Sequence, residues 1–350
     1  MRELHISKRD IRTTELVDVT PPPLAAGTAR LKLDLFALTS NNVTYAAMGE
    51  GMLGYWDFFP APEGFGKVPV WGFATVTESN APDIAVGARY YGYYPLAESL
   101  DVIPRKSATG FVDTAPHRAP KAALYNVYTD ASIDPAYDSA FEPEQTLFRP
   151  LYGTGWWAAD FIKQGAAKTV VLSSASSKTA LATAHQLRKL GGVELIGLTS
   201  PCNEAYVRES GLYHRVVLYN DAASLKVEAP ATYVDYLGRA ELNATVHGAL
   251  GAALTRSIII GLTDWASERG GAPLPGPKPE FFFVPTYAGE RLKADPQLGP
   301  GMMRDLRAFY PASRAFVTTQ RITGAAAIQA AWSRLVAGDV PPRDGLVASF

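Results

Sequence analysis

The segment LSSASSKTA (residues 172–180) follows a short apolar run and opens onto an alanine-rich helical pattern. Strand, tight turn and helix in that order aim backbone N–H groups at a phosphate, and glycines normally let the turn approach it closely. Here no glycine is present, so the G-x-G-x-x-G pattern is not met. Ser173, Ser174, Ala175, Ser176 and Ser177 are still small enough for close approach, and Lys178 adds a positive charge where a phosphate would lie. The letters SSKT also mimic the end of a nucleotide-hydrolase loop, but both glycines of that loop are missing. The chemistry expected of this turn is the binding of a dinucleotide, not hydrolysis of a triphosphate.

The next apolar run ends Gly197-Leu198-Thr199-Ser200-Pro201. A carboxylate at this point would hold both ribose hydroxyls of NAD and would repel a 2′-phosphate. The hydroxyls of Thr199 and Ser200 and the amide of Asn203 can instead donate to a phosphate, so NADP(H) is the expected cofactor. Metal chemistry lacks ligands, since the one cysteine, Cys202, and the scattered His5, His117, His185, His214 and His247 make no zinc-binding set. No metal is expected, and Cys202 reads as a small residue at a helix start. A Tyr-x-x-x-Lys pair is also absent, because Tyr287 is followed four positions on by Arg291. Without these, an oxyanion developing in a reaction would need neutral donors, and TSNNVTYA contains three, Asn41, Asn42 and Tyr45. An Asn-Asn pair is equally a turn signal, and a tyrosine in a loop equally a packing residue. In YWDFFPAPEGFGK, the residues Tyr55, Trp56, Phe58 and Phe59 could wall an apolar pocket, cover a surface or meet a second copy.

Two domains are expected to position these residues in a chain of 350 residues. The first half is β-rich: ARLKLDLFALTS, VPVWGFATVTES and ARYYGYYP alternate apolar with polar or aromatic residues between Pro, Gly and Asn clusters. From Leu147 the texture becomes βαβ, with strands expected at Thr169–Ser173, Glu194–Thr199, Arg215–Leu218, Thr232–Tyr236, Arg256–Gly261 and Phe281–Pro285. Between the first two, Ala180, Leu181, Ala184 and Leu187 predict a helix over Lys178–Leu190, capped by Ser176 or Ser177 and stopped by Gly191-Gly192. The tail predicts a helix over Ala325–Val336 and a strand LVASF that rejoins the first sheet, and Ser267–Glu280, rich in Gly and Pro, predicts an exposed loop. EFFFVPTY, read as a last strand, would expose a long apolar edge, which predicts a homodimer. With 33 basic against 34 acidic residues there is no footprint for nucleic acid. No run reaches the roughly 18 apolar residues of a membrane helix, and the polar N-terminus carries no export signal, so a cytoplasmic protein acting on a small molecule is expected.

The order of domains, with LFALTSNNVTYAAMG, VPVWGFATVTES followed by VGARYYGYYP, and LYGTGWWAADF, resembles the medium-chain dehydrogenase/reductase superfamily over most of the chain. The spelling of SASSKTA, TSNNVTYA and VPVWGFA is most similar to a domain-of-unknown-function subfamily within it. The resemblance implies an α/β fold: a GroES-like β-rich catalytic domain (1–148 and 304–350) with a Rossmann doubly wound parallel sheet (149–303). Lacking zinc ligands, the chain looks like the quinone oxidoreductase and enoyl reductase branch. The resemblance further implies that the loop of Tyr45, Asn41 and Asn42 faces the nicotinamide, with Tyr45 as catalytic donor. It puts Tyr219 where similar reductases contact the 2′-phosphate, makes Thr154 a helix start, and adds Thr179, Gly261 and Leu262 to the cofactor contacts. The competing expectation is a non-catalytic dinucleotide sensor or scaffold on the same fold, which the glycine-free turn favours.

Overall fold

A computed structural model describes residues 1–51, 53–260 and 273–350. The chain divides into two compact units, Met1–Arg149 with Arg307–Pro311 and Val317–Phe350, and Pro150–Leu306 with Ala312–Phe316.

The first unit is built on a mixed sheet in which Ala29–Leu38 pairs antiparallel with Pro69–Ser79, and that strand with Arg89–Pro95. Apolar and β-branched alternation in the first two gives each a buried face. Arg89–Pro95 is buried on both faces beyond its first residue, and Gly92 makes this possible: a Cβ there would lie 2.3 Å from the Tyr128 ring. The C-terminal strand Asp344–Ser349 returns to this sheet antiparallel to Ala29–Leu38, as the apolar LVASF run leads one to expect. It also pairs in parallel with Thr318–Thr323, a strand that the polar spelling TTQRIT does not announce. Helix Ala325–Ala337 buries Ile328, Trp332 and Leu335, and Trp332 Nε1 donates to the Ile11 carbonyl at 2.9 Å.

The second unit carries a parallel sheet. Its strands Arg215–Leu218, Glu194–Thr199, Thr169–Leu172, Ala231–Asp235, Leu254–Ile259 and Glu280–Phe281 lie side by side in that order. Numbered along the chain the order is 3-2-1-4-5-6, with the reversal between the first and fourth strands. Helix Lys178–Leu190 forms as expected, capped by Ser177, whose side chain accepts from the Ala180 N–H, and closed by Gly191 at φ +65°. Among the described residues no helix is long and apolar enough to cross a membrane.

Three expectations are corrected. EFFFVPTY is not a long strand: pairing stops at Phe281, and Val284–Ala294 is a helix with Pro285 in its first turn. Proline lacks the N–H a ladder needs and its fixed φ suits a first helical turn, so the premise of the dimer expectation falls. TSNNVTYA is not a loop but helix Ser40–Ala47 with Thr39 at its N-cap. Thr154 does not start a helix. It lies inside Glu142–Lys163, where its hydroxyl donates back to the Pro150 carbonyl at 3.0 Å. Gly261, Leu262 and residues 267–272 of the expected loop lie outside the described residues.

Candidate active site

In the second unit, the ends of the first and fourth parallel strands are tied together where the strand order reverses. Ser173 N–H donates to the Val234 carbonyl at 3.0 Å, and its hydroxyl donates to Asp235 Oδ1 at 2.7 Å. The same hydroxyl accepts from the N–H of Tyr236 at 2.8 Å and of Leu237 at 3.1 Å. Asp235 is 2% exposed and accepts further from the Leu237 and Gly238 N–H groups and from Asn243 Nδ2. A buried carboxylate supplied with this many donors is fully hydrogen-bonded and ties the two strand ends together.

The turn that follows takes a glycine-like shape without glycine. Ser174 sits at φ +48°, the left-handed region that favours glycine. Ala175 N–H donates to the Leu198 carbonyl at 3.0 Å, so the turn lies flush against the second strand. That strand supplies the missing space, since a Cβ on Gly197 would stand 2.9 Å from both the Ala175 Cβ and the Tyr213 ring. Tyr219 leans on the same turn: burial raises its pKa to about 12, opposed by a hydrogen bond from the Ser174 backbone and by the charge of Arg239.

Ser177 caps the helix, and Ser176 Oγ accepts from Asn203 Nδ2 at 3.2 Å. Lys178 and Thr179 open the helix half-buried; the Thr179 carbonyl accepts from the Thr183 hydroxyl at 3.0 Å. Ser200 and Asn203 are also half-buried, with Ser200 Oγ 3.1 Å from Cys202 Sγ. Thr199 leaves the phosphate-facing set: it is 0% exposed, and its hydroxyl has no hydrogen-bond partner. Arg239, exposed after the Gly238 turn at φ +83°, joins the group. Sequence reasoning missed it, although a cation directly after DYLG at a strand end was a signal. Small side chains, a helix N-terminus, a left-handed turn and a carboxylate-free second strand end fit a phosphorylated dinucleotide.

In the first unit, helix Ser40–Ala47 is pinned by Asn42. Its Oδ1 accepts from the Thr39 N–H at 2.7 Å, and its Nδ2 donates to the Pro69 carbonyl at 2.8 Å. At 3% exposure Asn42 is a capping and docking residue, a correction to its place among the donors. Asn41 and Tyr45, one turn apart, meet on one helix face, and Asn41 Nδ2 donates to Tyr45 Oη at 2.8 Å. Trp71 Nε1 donates to the same oxygen at 3.3 Å. Burial, with Tyr55 adding to it, pushes the Tyr45 phenol well above its ordinary range, so it is a neutral donor.

Tyr45 belongs to a buried cluster with Tyr55, Phe58, Phe59 and Tyr93, against which Trp71 and Tyr125 pack. Trp56 stands apart from it, wedged between Gly49 and Gly66, where an added Cβ would come within 2.0 Å and 2.1 Å of its indole. Beneath the cluster lies Arg118, fully buried, its guanidinium 5.1 Å from the Phe59 ring centroid. It donates to Asp113 at 2.9 Å, Asn126 at 3.0 Å, the Tyr128 hydroxyl at 2.7 Å and the Tyr125 carbonyl. Asp113, Arg118 and Asn126 were not anticipated, because nothing in a linear spelling shows which charged residues end up paired inside.

A family model described as a protein of unknown function, DUF2855, matches residues 36–341. No curated protein matches the chain by sequence. Among solved structures, CurA from Vibrio vulnificus in complex with NADPH is similar over 100% of this chain and 99% of its own, with 14% identity and a TM-score of 0.65. The YhdH oxidoreductase from Salmonella enterica in complex with NADP is similar over 100% of both chains, with 15% identity and a TM-score of 0.59. The CurK enoyl reductase is similar over 99% of this chain and 98% of its own, with 14% identity and a TM-score of 0.58. These likenesses establish the fold anticipated from the resemblance, a β-rich domain with a Rossmann domain.

Proposed function

This chain belongs to the DUF2855 family, and from that premise we propose that it is an NADPH-dependent, zinc-independent reductase of activated double bonds or carbonyls, of enone, enoyl or quinone type. The observation that carries the reading is the state of Tyr45. Its oxygen accepts from Asn41 and from Trp71, whose indole N–H can only donate, so the phenol hydrogen is left for another oxygen, and the Tyr93 hydroxyl is the neighbour it now interacts with. Such a donor stabilises an oxygen that gains negative charge in the transition state.

NADPH, when bound, supplies a hydride. The residues of the second unit that would hold it are Ser174, Ser176, Lys178, Ser200, Asn203, Tyr219 and Arg239. Their donors and cations, with no carboxylate at the end of Glu194–Thr199, support NADPH over NADH. The NADP or NADPH present in the CurA and YhdH structures supports the same choice. Among the described residues there is no group of three or more His, Cys, Asp or Glu that could hold a metal ion. Turnover is therefore expected to survive exhaustive chelation, and stoichiometric zinc in the purified protein would overturn that part.

The test is Tyr45→Phe, which keeps the ring and removes the hydroxyl. Reduction of 1,4-benzoquinone or an aliphatic enone, followed by loss of NADPH absorbance, is expected to fall on the order of 10²–10³ in kcat. NADPH affinity is expected to stay unchanged. Wild-type turnover in Tyr45→Phe would overturn the role of Tyr45. A second reading, a non-catalytic dinucleotide sensor, draws on Tyr219 engaging the Ser174 backbone inside the phosphate turn; tight NADPH binding without reduction of any compound in such a panel would favour it.

A further inference from the structure

Arg149 is a charged side chain of the first unit that its own surroundings leave half used. Its side chain is 10% exposed, and its Nη1 donates to Asp134, whose side chain is 1% exposed and accepts further from the Ala136 N–H at 3.0 Å. Nε and Nη2 have no acceptor among the described residues. Neither nitrogen is among the fully buried side-chain atoms left without a partner, so both meet solvent. Burial works against the charge of this guanidinium, but Asp134, with Tyr310 and Tyr91 adding to it, more than offsets burial and the pKa is raised. A row of contacts within the same unit leads from this cation to Tyr45. The guanidinium carbon lies 4.3 Å from the Tyr91 ring centroid, and that ring stacks on the Trp71 indole with centroids 5.8 Å apart and planes 14° apart. Trp71 is half-buried, and its Nε1 donates to Tyr45 Oη at 3.3 Å. A neutral donor stands at one end of the row and a cation at the other.

A guanidinium laid on a ring and gripped by a carboxylate at Nη1 holds its Nε–Nη2 edge in a fixed plane. That edge carries parallel N–H groups spaced for the two oxygens of a carboxylate, the strongest pairing open to it. We infer that Arg149 binds a carboxylate of the substrate through Nε and Nη2, so that the substrate is a carboxylate-bearing enone or quinone with its reacting carbonyl at Tyr45. This rests on the reductase reading above and narrows its substrate class. Asp134 acts as a positioning residue, because its hold on Nη1 sets which edge of the fork is offered. An ester of the same acid carries no charge and lacks the second equivalent oxygen. It forfeits the bidentate pairing while keeping the carbonyl for Tyr45.

The test compares trans-4-oxo-2-pentenoate with its methyl ester, NADPH being the reductant, in wild-type protein and in Arg149→Lys. Lysine keeps a cation for Asp134 and loses the fork, so the fold is spared. The ratio of kcat/KM for acid over ester, in which intrinsic reactivity cancels between the two proteins, should fall on the order of 10-fold to 10²-fold in Arg149→Lys. The loss should lie in KM for the acid, with turnover of the ester unchanged. A second readout needs no turnover: 4-oxopentanoate, the saturated counterpart, should raise the melting temperature of wild-type protein at millimolar concentration and that of Arg149→Lys less. An equal acid-to-ester ratio in the two proteins would overturn the inference and leave the role of Tyr45 intact. Loss of turnover on acid and ester alike in Arg149→Lys would make Arg149 structural and overturn it as well. If wild-type protein reduces neither compound yet is stabilised by 4-oxopentanoate through Arg149, the carboxylate site stands and the reductase reading falls. Absence of both effects would overturn the two together.

Discussion

At Arg118 the physics of one side chain governs the floor of the aromatic cluster. A fully buried guanidinium is tolerable because Asp113, Asn126, the Tyr128 hydroxyl and the Tyr125 carbonyl answer its donors, and because Phe59 and Tyr128 present their ring faces to it. Removing one partner leaves the others uncompensated. Arg118→Met is expected to lower stability by about 3–5 kcal/mol in urea unfolding, since Asp113 would remain as a buried, unpaired charge. A loss below about 1 kcal/mol, the scale of an exposed pair, would show that the site relaxes to admit water. Ser174 makes the opposite case. Its left-handed φ is strained for a side chain, so Ser174→Gly should be neutral or mildly stabilising and should leave the helix cap at Ser177 untouched. A loss of more than about 1 kcal/mol in the same assay would assign its side chain a role that the strain argument does not supply. Such single-residue facts were half legible in the sequence. The serine turn and the carboxylate-free strand end could be read from the spelling, whereas nothing in it shows that Arg118 turns inward onto near neighbours in sequence, or that Asp235 meets Ser173 across the sheet.

Helix Lys178–Leu190 shows how an element was read almost to the residue. Its apolar period, its serine cap and its terminal glycines are local signals that agree with one another. The strands Glu194–Thr199 and Arg215–Leu218 were legible for the same reason. TSNNVTYA was misread because polar, turn-prone asparagines hide a capping box, in which Asn42 acts on the Thr39 backbone; EFFFVPTY was misread because β-propensity at three phenylalanines outweighed one proline. The same helix carries His185, whose pKa is lowered from 6.5 by burial and then by Lys189, against a weaker upward pull from Asp305. A base whose folded pKa is depressed takes up protons less readily than the unfolded chain. Its contribution is therefore complete above about 6.5 and is lost as pH falls through that value toward the lower folded pKa. The melting temperature is expected to drop between pH 7.5 and pH 5.5, and His185→Gln should flatten that drop. An unchanged slope in His185→Gln would assign the pH dependence to other groups.

For the whole molecule the observable is stabilisation by cofactor, since a ligand that binds only the folded chain raises its stability by mass action, about 2.7 kcal/mol at one hundred times its Kd. NADPH should raise the melting temperature more than NADH at equal concentration, and equal shifts would count against the role given to Ser200, Asn203, Tyr219 and Arg239. That a chain without a glycine in its serine turn keeps this architecture follows from Gly197, which stands on the facing strand and yields the space. The fingerprint of such a site is therefore two-dimensional: a small residue is required somewhere in the contact between turn and strand, not at fixed places in a string. A pattern written along one segment passes over such a chain, whereas one written across the sheet finds it. The burden of variation falls on both sides of that contact, because Ser173 and Ala175 are fully buried and a methyl group added opposite them at Gly197 has nowhere to go.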